Sequence, residues 1–202
     1  MVESLKGLLD HSACYQMFQK AIGQARMLEY VIRELGELTP TTRLLDVGCG
    51  PADLVGKLPT VHYVGVDSSD AYICTARQKQ ADFGTFRVLA AECLGEMQNI
   101  EFDLVIAIGL FHHLSDNQAA AMCDGIARLL AKGGRAVFLD PVYTPNQGRL
   151  ARWIISKDRG RFVRDCQAYD RVLRHSFTRI TASIQEDLLY IPYTHVLHKC
   201  SV

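Results

Sequence analysis

The stretch LLDVGCGPADL at 44–54 carries the sharpest chemical signal in the chain. An apolar run ends in Asp46, a Gly-x-Gly turn follows at Gly48, Cys49 and Gly50, and a helix is expected to start near Ala52. Glycines at such a turn let the backbone bend tightly and come close to a ligand. Asp67 ends the next apolar run, 21 residues after Asp46, where a carboxylate can receive the two ribose hydroxyls of an adenosine.

A dinucleotide site asks for a third glycine and rests a pyrophosphate on the helix N-terminus. Here Asp53 holds the third glycine position, and the loop has no lysine or arginine. That carboxylate would repel a pyrophosphate. S-adenosylmethionine carries no phosphate, and its sulfonium and ammonium are positive, so the loop chemistry selects it over the dinucleotide.

These residues need a scaffold that brings strand ends together. Apolar runs at 43–47, 62–67, 86–90, 102–108 and 135–140 read as strands, with helices expected over 3–35, 71–79 and from Ser115 to about 131. Ser68, Ser69 and Asp70 can cap the second helix, and Ser115 with Gln118 forms a capping box for the third. Short strands that are apolar on both faces and alternate with helices mean a parallel sheet covered on both sides. Such sheets bind ligands at the strands' carboxyl ends. After residue 140 two helices are expected near 147–156 and 166–175, then strands over 178–184 and 194–200. One domain spanning 1–202 is expected, with 1–40 as a helical cover and 141–176 as a helical insertion near the acceptor.

Lys plus Arg and Asp plus Glu both number 22, so the net charge is zero and nucleic acid is not an expected partner. The seven cysteines form no Cys-x-x-Cys pair and fit neither a disulfide framework nor a zinc site; no metal is expected. Neither a signal peptide nor an apolar run of spanning length is read, so a cytoplasmic protein without a membrane partner is expected.

The ordered set DVGCGP, YVGVDSS, LAAEC, FDLVIAIGLFHHL and LLAKGGRAVFLD resembles the motifs of class I S-adenosylmethionine-dependent methyltransferases across nearly the whole chain. YQMFQKAIG at 15–23, DRGRFVR at 158–164 and IPYTH at 191–195 resemble a bacterial subgroup of small members. The resemblance implies a seven-stranded, mostly parallel Rossmann-like α/β sheet and methyl transfer to oxygen, nitrogen or carbon of a small-molecule acceptor. It implies that Asp46, Gly48, Cys49 and Gly50 line the methionine end of the cofactor, and that Asp67 holds the ribose with Ser68 beside the adenine. Glu92 takes the place of the family's usual aspartate toward the adenine amine, flanked by Cys93 and Leu94. Ile108 and Gly109 flank the methionine portion, and Tyr15 and Arg26 cover its carboxylate. Ala52 stands where the family often has another glycine.

His112 and His113 follow the fourth strand, where an imidazole could take a proton from an acceptor hydroxyl or amine; Tyr193 and His195 are further candidates. Eight basic residues (Arg149, Arg152, Lys157, Arg159, Arg161, Arg164, Arg171, Arg174) face three acids within 149–174. They read either as a solvated face or as a lid that grips an anionic acceptor, with Arg161 and Arg164 side by side if that segment is helical. Two other function classes stay open: a non-catalytic S-adenosylmethionine-binding regulator and an NAD-dependent oxidoreductase.

Overall fold

The structure, a computed structural model, describes residues 22–202. Its elements are α1 (Gln24–Glu34), β1 (Arg43–Val47), β2 (His62–Asp67), α2 (Asp70–Lys79), β3 (Gly84–Val88), β4 (Phe102–Ile108), α3 (Asp116–Leu129), β5 (Leu130–Tyr143), α4 (Arg149–Ile155), β6 (Arg164–Asp165), α5 (Cys166–Leu173), β7 (Arg179–Gln185) and β8 (His195–Ser201). The sheet runs in the order β3-β2-β1-β4-β5-β8-β7, with the two-residue β6 beside the end of β5. The first five strands are parallel, and β8 is antiparallel to both β5 and β7. This is the expected seven-strand path with one short strand added.

The pleat sends alternate side chains to opposite faces, and both faces are covered. Leu45, Val105 and Phe138 pack with Met122, Ile126, Tyr169 and Leu173 of α3 and α5. Leu44, Ile106 and Leu139 pack with Leu28, Val31, Ile73 and Ala76 of α1 and α2. Ser69 caps α2 by accepting from the Tyr72 N–H, and Ser115 with Gln118 forms the expected capping box on α3.

One expectation fails beside the site. No helix starts near Ala52; the chain makes a single 3-10 turn over Val55–Lys57. Ala52 lies in the left-handed region at φ 60°, its N–H bonded to the Cys49 carbonyl at 2.9 Å. A helix cannot propagate through that conformation, and the same positive φ is what makes glycine natural at this position.

The 141–176 stretch leaves the end of β5 and carries α4, β6 and α5 before β7. Arg164 ties it down. Its guanidinium donates to Asp116 at 2.7 Å and to the carbonyls of Phe111, Leu114 and Phe162. The expected Arg161–Arg164 pair is thereby split: residue 164 is strand, its side chain is buried, and its donors are spent on the β4–α3 connection.

Candidate active site

Two neighbouring cavities open along the carboxyl edge of the sheet. The first, about 300 Å³, is bounded by Gly48, Gly50, Pro51, Asp53, Asp67 and Tyr72, with Gln24 of α1 and Leu110 at its sides. Backbone bonds shape the loop. The N–H groups of Gly48 and Cys49 both donate to the Val66 carbonyl, at 2.8 and 3.0 Å. Gly48 combines φ 73° with the Leu110 side chain 3.0 Å from where a Cβ would stand, so only glycine fits there. Asp67 is clamped by two N–H donors, Gly50 to Oδ2 at 2.9 Å and Ser69 to Oδ1 at 2.8 Å. Each oxygen keeps a lone pair for a further donor.

The second cavity, about 340 Å³, has mostly apolar walls: Ile22, Met27, Leu139, Pro141, Trp153, Ile154, Leu189 and Ile191. Polar groups gather in its lining: His112, His113, Lys157, Asp158, Arg159, Tyr193 and His195. Gly109, His113 and Arg159 border both cavities. The two spaces therefore meet just beyond the end of β4.

A continuous hydrogen-bonded chain joins β5 to three loop segments in the second cavity. Asp140 of β5 accepts from the His112 backbone N–H at 3.1 Å and sits 2.7 Å from its Nδ1. His112 Nε2 lies 3.2 Å from Asp158 Oδ1. Asp158 accepts further from the Gly160 N–H at 2.9 Å and from the Tyr193 hydroxyl at 2.5 Å. Burial alone would lower the pKa of His112, but the hydrogen bonds to both carboxylates outweigh it and push it up to about 9. Hydrogen bonds from His112, Gly160 and Tyr193 likewise overcome burial and hold the Asp158 carboxyl well below its usual range. At neutral pH His112 is an imidazolium with both N–H groups spent. Its ring also fits only because residue 160 is glycine: a Cβ there would meet His112 Cδ2 at 1.8 Å.

His113 differs. Its ring lies tilted against that of His112, centroids 4.2 Å apart, and burial together with the His112 charge lowers its pKa. A neutral imidazole exposed where the two cavities meet can accept a proton. His195 is neutral as well, pushed down to about 4 by burial and by His112, with Nδ1 buried and unpartnered among the described residues.

His112, His113 and Asp158 offer ligand atoms within 4.8 Å of one another. A cation there would have to displace the proton on His112 Nε2, because each of the hydrogen-bonding atoms of His112 and Asp158 is already satisfied. The geometry fits a proton better than a metal.

The structure brings Gly48, Gly50, Asp67, Gly109 and His113 together around the first cavity. Asp46 lies beneath the loop, buried; its carboxylate accepts from the Tyr63 hydroxyl at 2.6 Å, and burial pushes its pKa up to about 7. Cys49 turns its sulfur toward Gly65, and burial pushes the thiol's pKa up. Ser68 is exposed and Ile108 half-buried, and neither lines either cavity. Glu92 accepts from the Gln118 amide at 2.8 Å, Cys93 is half-buried, and Leu94 is fully buried with its side chain against Gly125. Arg26 points to Asp187 at 3.0 Å, and α1 instead contributes Gln24 and Met27 to the cavities. Tyr15 lies outside the described residues. The sequence alone gives Asp140 and Asp158 no role of their own and marks Arg159 only as one of the eight basic residues of 149–174. The DRG run at 158–160 carries only a family resemblance, and Asp140 only marks the end of an expected strand.

Residues 44–134 match the family model described as "Methyltransferase domain". No curated protein matches the chain. Among solved structures, magnesium protoporphyrin IX methyltransferase from Synechocystis PCC 6803 with bound SAH aligns at TM-score 0.71 and 21% identity, over 92% of this chain and 87% of that one. A TehB-like SAM-dependent methyltransferase from Corynebacterium glutamicum ATCC 13032 aligns at 0.64 and 19%, over 95% and 96%. Geranyl diphosphate C-methyltransferase from Streptomyces coelicolor A3(2), in complex with Mg2+, geranyl diphosphate and S-adenosyl-L-homocysteine, aligns at 0.67 and 14%, over 88% and 79%. The fold is that of the class I methyltransferases. Among the described residues no helix is long and apolar enough to cross a membrane.

Proposed function

We propose that this chain, a class I methyltransferase in fold, transfers a methyl group from S-adenosyl-L-methionine to a small-molecule acceptor held in the apolar cavity. One observation carries the reading: an acid-lined, glycine-floored cavity and an apolar cavity meet at Gly109, His113 and Arg159 on the carboxyl edge of the sheet.

The residues of the first cavity suit the cofactor. Asp67, oriented by two backbone N–H groups, has lone pairs free for ribose hydroxyls, and Asp53 places a second acid on the wall where a phosphate would be repelled. Asp46 acts through Tyr63 and the strand end to hold the loop rather than by facing the cavity. Once bound, S-adenosyl-L-methionine supplies a methyl group already activated by its sulfonium. The chain's remaining task is to align the acceptor and exclude water. Where the acceptor nucleophile arrives protonated, His113 takes the proton, and burial together with the imidazolium of His112 keeps His113 neutral and ready. The apolar walls fit an acceptor with an apolar body, and Lys157 and Arg159 favour an anionic group at one end of it.

Thermal unfolding tests the cofactor. S-adenosylhomocysteine at a hundredfold excess over Kd should stabilise the fold by about 2.7 kcal/mol, and NAD should not. Stabilisation by NAD alone would overturn the reading in favour of an oxidoreductase. Stabilisation by S-adenosylhomocysteine without methyl transfer to any apolar hydroxyl or amine in a broad acceptor panel would favour a non-catalytic binding protein.

A further inference from the structure

The basic stretch divides near residue 161. Arg164 is buried, and Arg174 pairs with Asp170 at 3.2 Å. Arg149, Arg152, Lys157, Arg159 and Arg161 are instead all exposed, and Asp158 is the single acid within 149–161. Asp158 is turned inward onto His112 and Tyr193. Among the described residues Arg149, Lys157 and Arg161 have no ion-pair partner, and Arg152 lies over the Tyr143 ring at 4.9 Å.

Large apolar side chains are exposed among these cations. Leu150 and Trp153, three apart on α4, are 58% and 60% exposed, and Phe162 is 40% exposed. Buried Ala151 and Ile155 anchor the other side of α4. Trp153 also lines the apolar cavity, so this patch is its rim. Water solvates such a rim poorly, and a nucleic-acid backbone has no use for Leu150. An anionic bilayer satisfies both parts: its headgroups meet the cations, and Leu150, Trp153 and Phe162 enter the interfacial layer.

The geometry points to 149–162 as a docking surface for an anionic lipid membrane, with the cavity opening toward the bilayer so that an amphiphilic acceptor enters from the lipid phase. The route of the acceptor rests on the proposed function; the surface does not.

Trp153 is the only tryptophan, which makes its emission a direct reporter. The full chain is titrated with vesicles of phosphatidylcholine alone, and of phosphatidylcholine mixed with phosphatidylglycerol. The mixed vesicles should shift the emission to the blue and, with brominated acyl chains, quench it. Phosphatidylcholine alone should do neither, and high salt should weaken the partitioning by about tenfold or more. The double variant Arg149→Glu, Leu150→Glu borders neither cavity. It should lose at least about tenfold in partitioning while S-adenosylhomocysteine raises its Tm as in the parent. No blue shift on anionic vesicles, or unchanged partitioning of the double variant, would overturn the surface. So would a shift produced by single-stranded RNA and not by vesicles, which would mark a nucleic-acid surface. Vesicle binding without any S-adenosylhomocysteine effect would uphold the surface and remove the methyltransferase reading.

Discussion

Replacing His112 with asparagine keeps a donor toward Asp140 but removes the group that titrates. The parent's His112 moves from its ordinary 6.5 to about 9 on folding. At 1.36 kcal/mol per unit this is about 3 kcal/mol of stability, and a side chain only 6% exposed needs little discount for solvent screening. Because the folded value is the raised one, that stabilisation is complete below pH 6.5 and is lost as pH climbs through about 9. The parent's own curve mixes in Asp46, whose buried carboxyl, raised to about 7, also makes the fold less stable as pH rises toward that value. The difference between parent and His112→Asn cancels this second contribution. Urea unfolding followed by far-UV circular dichroism should therefore show a parent-minus-variant gap about 3 kcal/mol larger at pH 6 than at pH 10. A gap of constant size across that range would refute the imidazolium between two carboxylates, and with it the part that the His112 charge plays in lowering the His113 pKa.

Other perturbations have equally definite outcomes. Asp67→Ala should weaken S-adenosylhomocysteine binding by tenfold or more, since charge-assisted hydrogen bonds are worth roughly 1.5–3 kcal/mol each, and calorimetry on the folded variant reads it directly. His113→Ala should slow methyl transfer to an acceptor with an O–H or N–H nucleophile by about 10²–10⁴. The parent's rate should rise with pH only below 6.5, because the His113 pKa is lowered, and then hold level. Arg164→Met leaves the carbonyls of Phe111, Leu114 and Phe162 without their donor and should cost about 3 kcal/mol in urea unfolding, with a smaller loss pointing to water in their place.

The fold was legible because its signals are local. The runs at 43–47, 62–67 and 102–108 are strands over those same bounds, since a strand buried on both faces has to be apolar throughout. The caps at Ser69 and Ser115 were legible for the same reason: a cap is satisfied within three residues. The missing helix near Ala52 shows the limit. Its absence follows from one positive φ, set by the way the loop folds onto Val66, and alanine does not announce such a conformation.

The site divides along the same line. Asp67 and the glycines could be placed from spacing, because a short loop joins each of them to a strand end. The roles of His112 and His113 could not, because chemistry separates two neighbours that sequence makes equivalent. His112 is held by Asp140 and Asp158, 28 and 46 positions away along the chain, and spends both nitrogens on them. His113, one residue on, faces the meeting point of the cavities with a lowered pKa. The conspicuous buried histidine is thus the poorer base, since it is already protonated. Burial, with that charge in second place, keeps its neighbour neutral and able to accept a proton.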